Sequence, residues 1–334
     1  MLLSRRLIHL TGLVILLALV LSCGSAHTSD EYYVFVAANV QVPYWKAAAA
    51  GLSNGASALK VRSDFDGPPS YDAKAERDAL DQAVQKKATG ILLAVTDPAV
   101  LKDSIDKAVA AGIPVITIDS DAPASKRLFF IGTNNYQAGL IGGQRLVNEL
   151  HGKGNVVVFT MPEQANLNER LRGYRDALEG HAQIKITQTV DMKGDPRVAF
   201  DAAEQILGKG KDQVNAFVCL EALAGKEVAT VLNNNKIKDK VIMVMDTDPD
   251  TLEWIQKGVI AATISQKPYT MASFGLRMLD NLYHNKLGSL DEDWSKDSFA
   301  PVPAFVDTGS SLVDKNNVEA FMAANKSKTA ASHP

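Results

Sequence analysis

Two short segments of this chain match patterns that carry chemistry in other proteins. Residues 51–55 match the G-x-S-x-G pattern of a serine-hydrolase nucleophile, but that pattern needs a strand before the serine and a helix after it. Here it lies in a helical run over residues 46–58. Residues 246–250 begin like a calcium loop, yet Thr251 and Lys257 stand where the loop requires Gly and Glu. We therefore predict neither a catalytic serine nor a calcium site, and we expect that the protein is not an enzyme.

The cysteines and histidines give no sign of a metal centre. Cys23 and Cys219 are too few and too far apart for a zinc site or a disulfide framework, and the six histidines are scattered along the sequence. The sequence also lacks a P-loop, an H-E-x-x-H motif and a G-x-G-x-x-G motif after a strand. We predict that the protein holds no metal and no cofactor.

Two other segments have residue types suited to a small polar ligand. Tyr44 and Trp45 follow Pro43 after the first predicted strand, and such aromatic pairs either pack in a core or offer flat faces to a sugar ring. Asn166 and Arg170 stand four residues apart at the start of a predicted helix and so share one face. This arginine is either an ordinary surface residue or a donor that faces a second lobe.

The elements that must position these residues form two similar series. Strand patterns alternate with helical patterns over residues 32–150 and again over residues 155–284, which predicts two α/β lobes with parallel sheets and helices on both faces. Several strands end on a polar residue just before a helix start, as at Thr96, Asp119 and Asp246. Ligands of parallel α/β sheets bind at the carboxyl ends of the strands, so these positions are candidates for a binding site.

Composition narrows the possible classes of protein. The chain has 334 residues, of which 46% are hydrophobic and 22% charged, as in a folded soluble protein. This length fits two domains. The formal net charge is −3 and no basic cluster follows residue 6, so the positive charge that nucleic acid binding requires is missing. We expect no nucleic acid partner.

The N-terminal segment is typical of an exported protein. Arg5 and Arg6 precede an apolar run that ends at Leu21 and is shorter than the ~20 apolar residues of a membrane-spanning helix. Residues 20–23 resemble a bacterial lipobox, in which the cysteine is acylated and becomes the first mature residue. Cleavage after Ala26 is the alternative. We predict a signal peptide over residues 1–22, a lipidated Cys23 as the only membrane attachment, and a location in the periplasm.

Six segments together resemble type I periplasmic binding proteins of the ribose and galactose group. They occur in the order and spacing of that family and span nearly all of residues 32–310. They are the exported N-terminus, residues 43–45, 112–123 and 131–139, Asn166 with residues 170–174, and residues 262–266. The resemblance implies an α/β protein whose two Rossmann-like lobes have parallel sheets, are joined by three crossovers and close on a sugar.

The resemblance also assigns residues to the implied sugar site. Tyr44 and Trp45 correspond to aromatic residues that stack on the sugar ring. The other ligand-binding positions that the motifs of the family imply are Thr96, Asp119, Thr133, Asn166, Arg170, Glu221, Asp246 and Gln266. Together with Asp121, the acidic residues set as many as four carboxylates against one guanidinium. Such a wall favours neutral hydroxyl donors over an anionic sugar.

The implied domain boundaries follow the three crossovers, which we expect near residues 133–135, 266–268 and 300–303. The domains are a linker over residues 23–31, an N-terminal lobe of residues 32–133 plus 267–300, a C-terminal lobe of residues 134–266 plus 301–325, and a tail over residues 326–334. From residue 323 onward the chain is rich in Ala, Ser, Lys and Asn without a periodic pattern, so we predict a frayed end.

The resemblance implies a monomeric substrate-binding protein that brings a monosaccharide or polyol to the permease and ATPase complex of an ABC-type importer. The same fold can instead present its closed form to a membrane chemoreceptor or sensor kinase, and the residues do not separate these two functions. Ribose binders carry Arg where this chain has Ser120, and Asn where it has Val42 and Glu221. The resemblance therefore does not extend to specificity for ribose.

Overall fold

The computed structural model of the chain describes residues 27–28, 30–290, 292, 294, 296–297 and 299–331. The predicted signal peptide and Cys23 lie outside these residues. Within the described part of the chain, no helix is long and apolar enough to cross a membrane.

The first lobe is built on a six-stranded sheet in the order β11-β5-β4-β3-β1-β2, with every neighbouring pair parallel. Its strands are β1 (Tyr32–Val36), β2 (Arg62–Asp66), β3 (Gly90–Leu93), β4 (Val115–Ile118), β5 (Phe130–Gly132) and β11 (Phe305–Asp307). Its helices are α1 (Pro43–Leu59), α2 (Ala73–Gln85), α3 (Pro98–Ala110) and α9 (Pro268–His284). Strands β1, β3 and β4 are buried along their whole length because helices cover both faces of the sheet.

The second lobe repeats this plan in the order β12-β10-β9-β8-β6-β7, with only the β10–β12 pair antiparallel. Its strands are β6 (Gly154–Thr160), β7 (Ile184–Asp191), β8 (Ala216–Cys219), β9 (Val241–Met245), β10 (Ala262–Ser265) and β12 (Ser311–Asp314). Its helices are α4 (Asn135–Glu149), α5 (Ala165–Leu178), α6 (Pro196–Gly210), α7 (Ala224–Asn234), α8 (Pro249–Gln256) and α10 (Val318–Ala331). The predicted fold class of two Rossmann-like lobes with parallel sheets is confirmed.

The chain passes between the sheets three times. The first passage follows β5 and the second follows β10. The third passage was expected at residues 300–303, but β11 still pairs with β5 in the first sheet through Phe305 and Phe130. The chain therefore leaves the first lobe only after Asp307, at residues 308–310, and the predicted boundary at residue 300 is too early. An isolated three-residue strand has too short an apolar pattern to reveal which sheet it joins.

The predictions for the G-x-S-x-G segment and for the C-terminal end have different outcomes. The G-x-S-x-G pattern lies inside α1 with Ser53 exposed, as its helical context predicted. The prediction of a frayed end from residue 323 is wrong, because α10 continues to Ala331. Alanine and lysine are strong helix formers, so a sequence without an apolar stripe still forms this last helix.

Close contact between α4 and α5 fixes the start of α5 in the second lobe. Two glycines allow it: a Cβ on Gly139 would lie 2.1 Å from the Arg170 carbonyl oxygen, and a Cβ on Gly173 would lie 2.2 Å from the Tyr136 carbonyl oxygen. No larger residue fits at either position without moving a helix backbone. The two glycines thus set the depth at which α5 presents its first turns to the other lobe.

Candidate functional site

The carboxyl ends of the strands in both sheets face a cleft between the lobes. The empty space of the cleft, counted together with the open solvent at its mouth, is about 340 Å³. Residues from both lobes line it: Tyr44, Trp45, Tyr71, Asp119, Met161, Gln164, Asn166, Leu167, Arg170, Glu221, Ala222, Asp246 and Gln266. Every ligand-binding residue predicted from the sequence is in this set except Thr96 and Thr133.

Two aspartates occupy equivalent places in the two lobes. Asp119 directly follows β4 and Asp246 directly follows β9, and both have a left-handed backbone, with φ of 66° and 70°. Each is tied to the next strand of its sheet, because the Asp119 N–H donates to the Ile131 carbonyl and the Asp246 N–H to the Ile264 carbonyl. Non-glycine residues adopt this backbone at a cost. The left-handed backbone occurs at both strand ends, which indicates that the function of the cleft depends on the position of each carboxylate.

Arg170 lines the same cleft as these carboxylates and has the largest of the fully buried side chains. Its guanidinium donates from Nε to Asn135 Oδ1 at 2.7 Å, from Nη1 to the Leu220 carbonyl at 2.7 Å and from Nη2 to Gln266 Oε1 at 2.8 Å. A guanidinium carries five N–H donors in a fixed plane, so these three hydrogen bonds leave two donors for a ligand. Gln266 in turn donates from Nε2 to Asp246 Oδ1 at 2.9 Å.

Asp119 joins the two lobes across the cleft. The Tyr44 hydroxyl, from the same lobe, donates to Asp119 Oδ1, and Asn166 of the second lobe donates from Nδ2 to Asp119 Oδ2 at 3.3 Å. Asn166 therefore faces the other lobe, and Arg170, which its spacing puts on the same helix face, lines the same cleft. The lobes are in contact through this group, which is the arrangement of a closed cleft.

The aromatic residues of the cleft belong to the first lobe. Tyr44 and Trp45 meet edge to face with ring centroids 4.9 Å apart, and Trp45 also packs at 6.1 Å from Phe35. Trp45 is thus both a core residue and part of the cleft wall, which combines the two alternatives that the sequence left open. Tyr71 is a third aromatic wall residue; it packs against the cores of both lobes.

Burial controls the charge of the acidic residues in the cleft. Loss of solvent raises the pKa of Asp246 to about 7 and that of Glu221 to about 7, and it also raises the pKa of Asp119. The nearby Arg170 guanidinium opposes this rise at all three carboxyls. Glu221 also accepts backbone hydrogen bonds from Leu223 at 2.6 Å and from Ala224 at 2.9 Å. The cleft therefore holds three carboxyls whose ionisation responds to a ligand that brings hydrogen-bond donors.

Three sequence predictions need correction in their detail. Thr96 is not part of the cleft wall, and its N–H donates to the buried carboxyl of Glu76 at 3.1 Å. Thr133 lies in the first passage between the lobes and is buried outside the cleft wall. Asp121 does not add a fourth carboxylate, because Arg127 binds both of its oxygens at 2.6 and 2.7 Å.

Sequence reasoning missed several wall residues. Met161 directly follows β6. The rule that residues directly after parallel strands face the ligand, which selected Asp119 and Asp246, would also have selected Met161 if it had included apolar residues. Gln164 directly precedes α5. Tyr71, Leu167 and Ala222 lie in the wall with no motif to mark them.

Two open α/β sheets that face each other across a polar cleft define a protein that binds a small ligand between two lobes. The sequence model of the family described as the periplasmic binding protein domain matches residues 33–287, and the chain belongs to this family. The predicted type I sugar-binding architecture is confirmed. Proteins of this family bind substrates and act outside the cytoplasm.

Individual relatives are distant but cover most of the chain. The xylose/arabinose-binding protein XylF of Sulfolobus acidocaldarius is 24% identical over 307 residues, which are 85% of this chain and 71% of the relative. The crystal structure of the sugar-binding protein of a sugar ABC transporter from Bacillus halodurans is 32% identical, with a TM-score of 0.75 over 87% of this chain and 99% of that one. A protein described as the XylFII-LytSN complex is 26% identical, with a TM-score of 0.76 and the same coverage.

Proposed function

We propose that the cleft binds a neutral monosaccharide or polyol and that the protein delivers it to the permease and ATPase complex of an ABC-type importer. The observation that carries the proposal is that Asp119 of the first lobe and Asp246 of the second lobe line one cleft together with the Arg170 guanidinium. A sugar hydroxyl can donate to a carboxylate and accept from a guanidinium at the same time, and such charge-assisted hydrogen bonds are stronger than neutral ones. A ligand of this kind would bind both lobes at once.

The charge of the wall supports a neutral ligand. Asp119, Glu221 and Asp246 are set against the single cation Arg170 within the described cleft wall. A sugar phosphate or a uronic acid would bring a further negative charge into this buried space, where repulsion is little screened. The aromatic rings of Tyr44, Trp45 and Tyr71 add an apolar wall that suits the C–H faces of a sugar ring.

The relatives support a small sugar and an import role. One of them is named for xylose and arabinose and another for a sugar ABC transporter, so pentoses are the first candidates. The structure of the XylFII-LytSN complex favours a second candidate function, in which a membrane receptor recognises the closed protein. Both functions share the sugar-binding step and differ in the partner that recognises the closed lobes.

A screen of thermal stability tests the sugar-binding step. Pentoses, hexoses, polyols and amino sugars are added separately at millimolar concentration, and the midpoint of unfolding is measured. A ligand at 100 times its dissociation constant stabilises the folded state by about 2.7 kcal/mol, so the matching neutral sugar should raise the midpoint by several degrees. If no neutral sugar or polyol shifted the midpoint while another class of small molecule did, the proposal would be wrong.

We also propose that the mature protein is a monomer held at the membrane by a lipid on Cys23. The proposal rests on the short apolar run that ends at this cysteine. Wild-type cells grown with labelled palmitate should yield labelled protein in the membrane fraction, and Cys23→Ala should abolish the label. The Cys219→Ala variant is the matched control, because Cys219 is the buried cysteine of β8, and it should keep the label. Membrane protein without label in the wild type would contradict the anchor.

A further inference from the structure

The geometry points to a zinc site in the first lobe, formed by His27, Glu31, Asp280 and His284 and separate from the interlobe cleft. One ligand atom from each of these residues lies within 4.8 Å of every other. The expectation that the histidines form no ligand cluster is therefore wrong for two of them. Spacing in the sequence could not reveal the cluster, because its two halves lie at opposite ends of the first lobe's sequence.

Of three distances between the ligand atoms, one agrees with those around a tetrahedral zinc ion and two are slightly shorter. His27 Nε2 lies 3.0 Å from Asp280 Oδ1, His284 Nε2 lies 3.1 Å from Glu31 Oε2, and His284 Nε2 lies 3.6 Å from Asp280 Oδ1. Four zinc bonds of about 2.0–2.2 Å at tetrahedral angles separate neighbouring ligand atoms by about 3.3–3.6 Å. An ion at the centre of the cluster would need only small side-chain shifts.

The protein backbone positions the four side chains. Asp280 and His284 are one turn apart on α9, and Glu31 directly precedes β1, so two rigid elements supply three of the four ligands. The Thr28 N–H donates to Glu31 Oε1 at 2.6 Å, which leaves Oε2 to face His284. A hydrogen bond of this kind to the non-coordinating oxygen of a ligand orients it for a metal. The Tyr33 hydroxyl lies 3.4 Å from Asp280 Oδ1, the oxygen that faces both histidines.

The donor set favours zinc over the common alkaline-earth cations. Calcium and magnesium prefer six or more oxygen ligands, whereas two imidazoles with two carboxylates suit zinc. The two carboxylates balance the charge of the ion, and the Glu31 side chain is fully buried. His284 is 33% exposed, so an ion can reach the site from solvent.

A bound zinc ion would tie the beginning of the described chain to the last turn of α9. His27 lies four residues after the proposed lipid attachment at Cys23. The ion would therefore fix where the linker leaves the first lobe, and it would stabilise that lobe without touching the sugar.

Metal titration tests the site directly. The chain expressed from Gly24 onward keeps every described residue and removes the Cys23 thiol. After treatment with a chelator it is titrated with zinc against a chromophoric competitor, and with calcium and magnesium in parallel runs. We expect one zinc ion per chain and no comparable binding of calcium or magnesium. Cobalt added in place of zinc should give the intense visible absorption of a four-coordinate ion.

Matched variants locate the ion. His284→Gln should weaken zinc binding on the order of 100-fold and remove the cobalt absorption, whereas His181→Gln changes an exposed histidine of the second lobe and should leave both unchanged. Circular dichroism confirms that each variant is folded. The site is overturned if the wild type binds no zinc at micromolar concentration, if His284→Gln binds it as tightly as the wild type, or if calcium binds equally well. None of these results depends on the identity of the sugar.

Discussion

Arg170→Ala is expected to weaken binding of the sugar at least on the order of 100-fold, which corresponds to about 2.7 kcal/mol. The substitution removes the two N–H donors that the three internal hydrogen bonds of Arg170 leave for a ligand. It also removes the positive charge that opposes protonation of Asp119 and Asp246. Carboxyls that stay protonated are weaker acceptors for sugar hydroxyls. Calorimetric titration with the ligand found by the stability screen measures the effect.

Arg172→Ala is the matched control for this variant. Arg172 is on the same helix but half exposed, where it pairs with Glu169 at 2.6 Å and lies over the Tyr136 ring at 4.0 Å. Its removal should change the dissociation constant by less than about twofold, because surface ion pairs contribute little. Arg170→Lys should bind with intermediate affinity, since it keeps the charge and loses the planar fork. Equal affinities for Arg170→Ala and Arg172→Ala would exclude the guanidinium from the ligand site.

Sugar binding is also expected to weaken as the pH falls from 7.5 to 5.5, with a dissociation constant on the order of tenfold larger at the lower pH. The pKa of Asp246 is raised to about 7 in the closed cleft, chiefly because burial disfavours its charged form. An Asp246 carboxylate that accepts a sugar hydroxyl is favoured in its ionised form. Binding therefore releases a proton near neutral pH, and a lower pH opposes it.

The same pKa shift predicts the effect of pH on the empty protein. An unfolded aspartate loses its proton near pH 4, whereas Asp246 in the folded protein keeps it up to about pH 7. Between these values the folded state binds more protons than the unfolded state, so the free energy of unfolding decreases as the pH rises. Below about pH 7, a rise in pH therefore strengthens ligand binding but decreases the free energy of unfolding.

Glu76 provides the control for this pH dependence. Its pKa is also raised, to about 8, by burial, but it lies on α2 outside the cleft wall. Glu76→Gln should leave the ratio of dissociation constants at the two pH values unchanged. Asp246→Asn should weaken binding at pH 7.5 and reduce that ratio. A wild-type dissociation constant that is constant from pH 5.5 to 7.5 would contradict this account.

Strand ends made much of the site predictable from the sequence. The rule that polar residues directly after parallel strands face the ligand selects Asp119 and Asp246, and the resemblance to a known family adds Arg170 and Gln266. All four line the cleft. The rule succeeds because the carboxyl ends of neighbouring parallel strands meet at one edge of the sheet, whatever the rest of the sequence does.

Features that depend on contacts between distant segments could not be predicted in this way. Asp121 reads as a strand-end carboxylate, and only the fold shows that Arg127 neutralises it. Thr96 has the expected residue type, but its backbone N–H is bound to Glu76 on α2. The third passage between the lobes depends on pairing of β11 with β5, and the four proposed zinc ligands come from the two ends of the first lobe's sequence.

The most direct test of a cleft for neutral sugars is a calorimetric titration that compares a sugar with its acid. D-Galactose and D-galacturonate differ only at C6, where the acid carries a carboxylate in place of the hydroxymethyl group; the equivalent pair is used for the best ligand of the screen. At pH 7.5 we expect the neutral sugar to bind one to one with a micromolar dissociation constant, near −8 kcal/mol at about 1 μM, and the acid to give no measurable heat of binding. Tight binding of the acid would contradict a cleft wall of three carboxyls and one guanidinium.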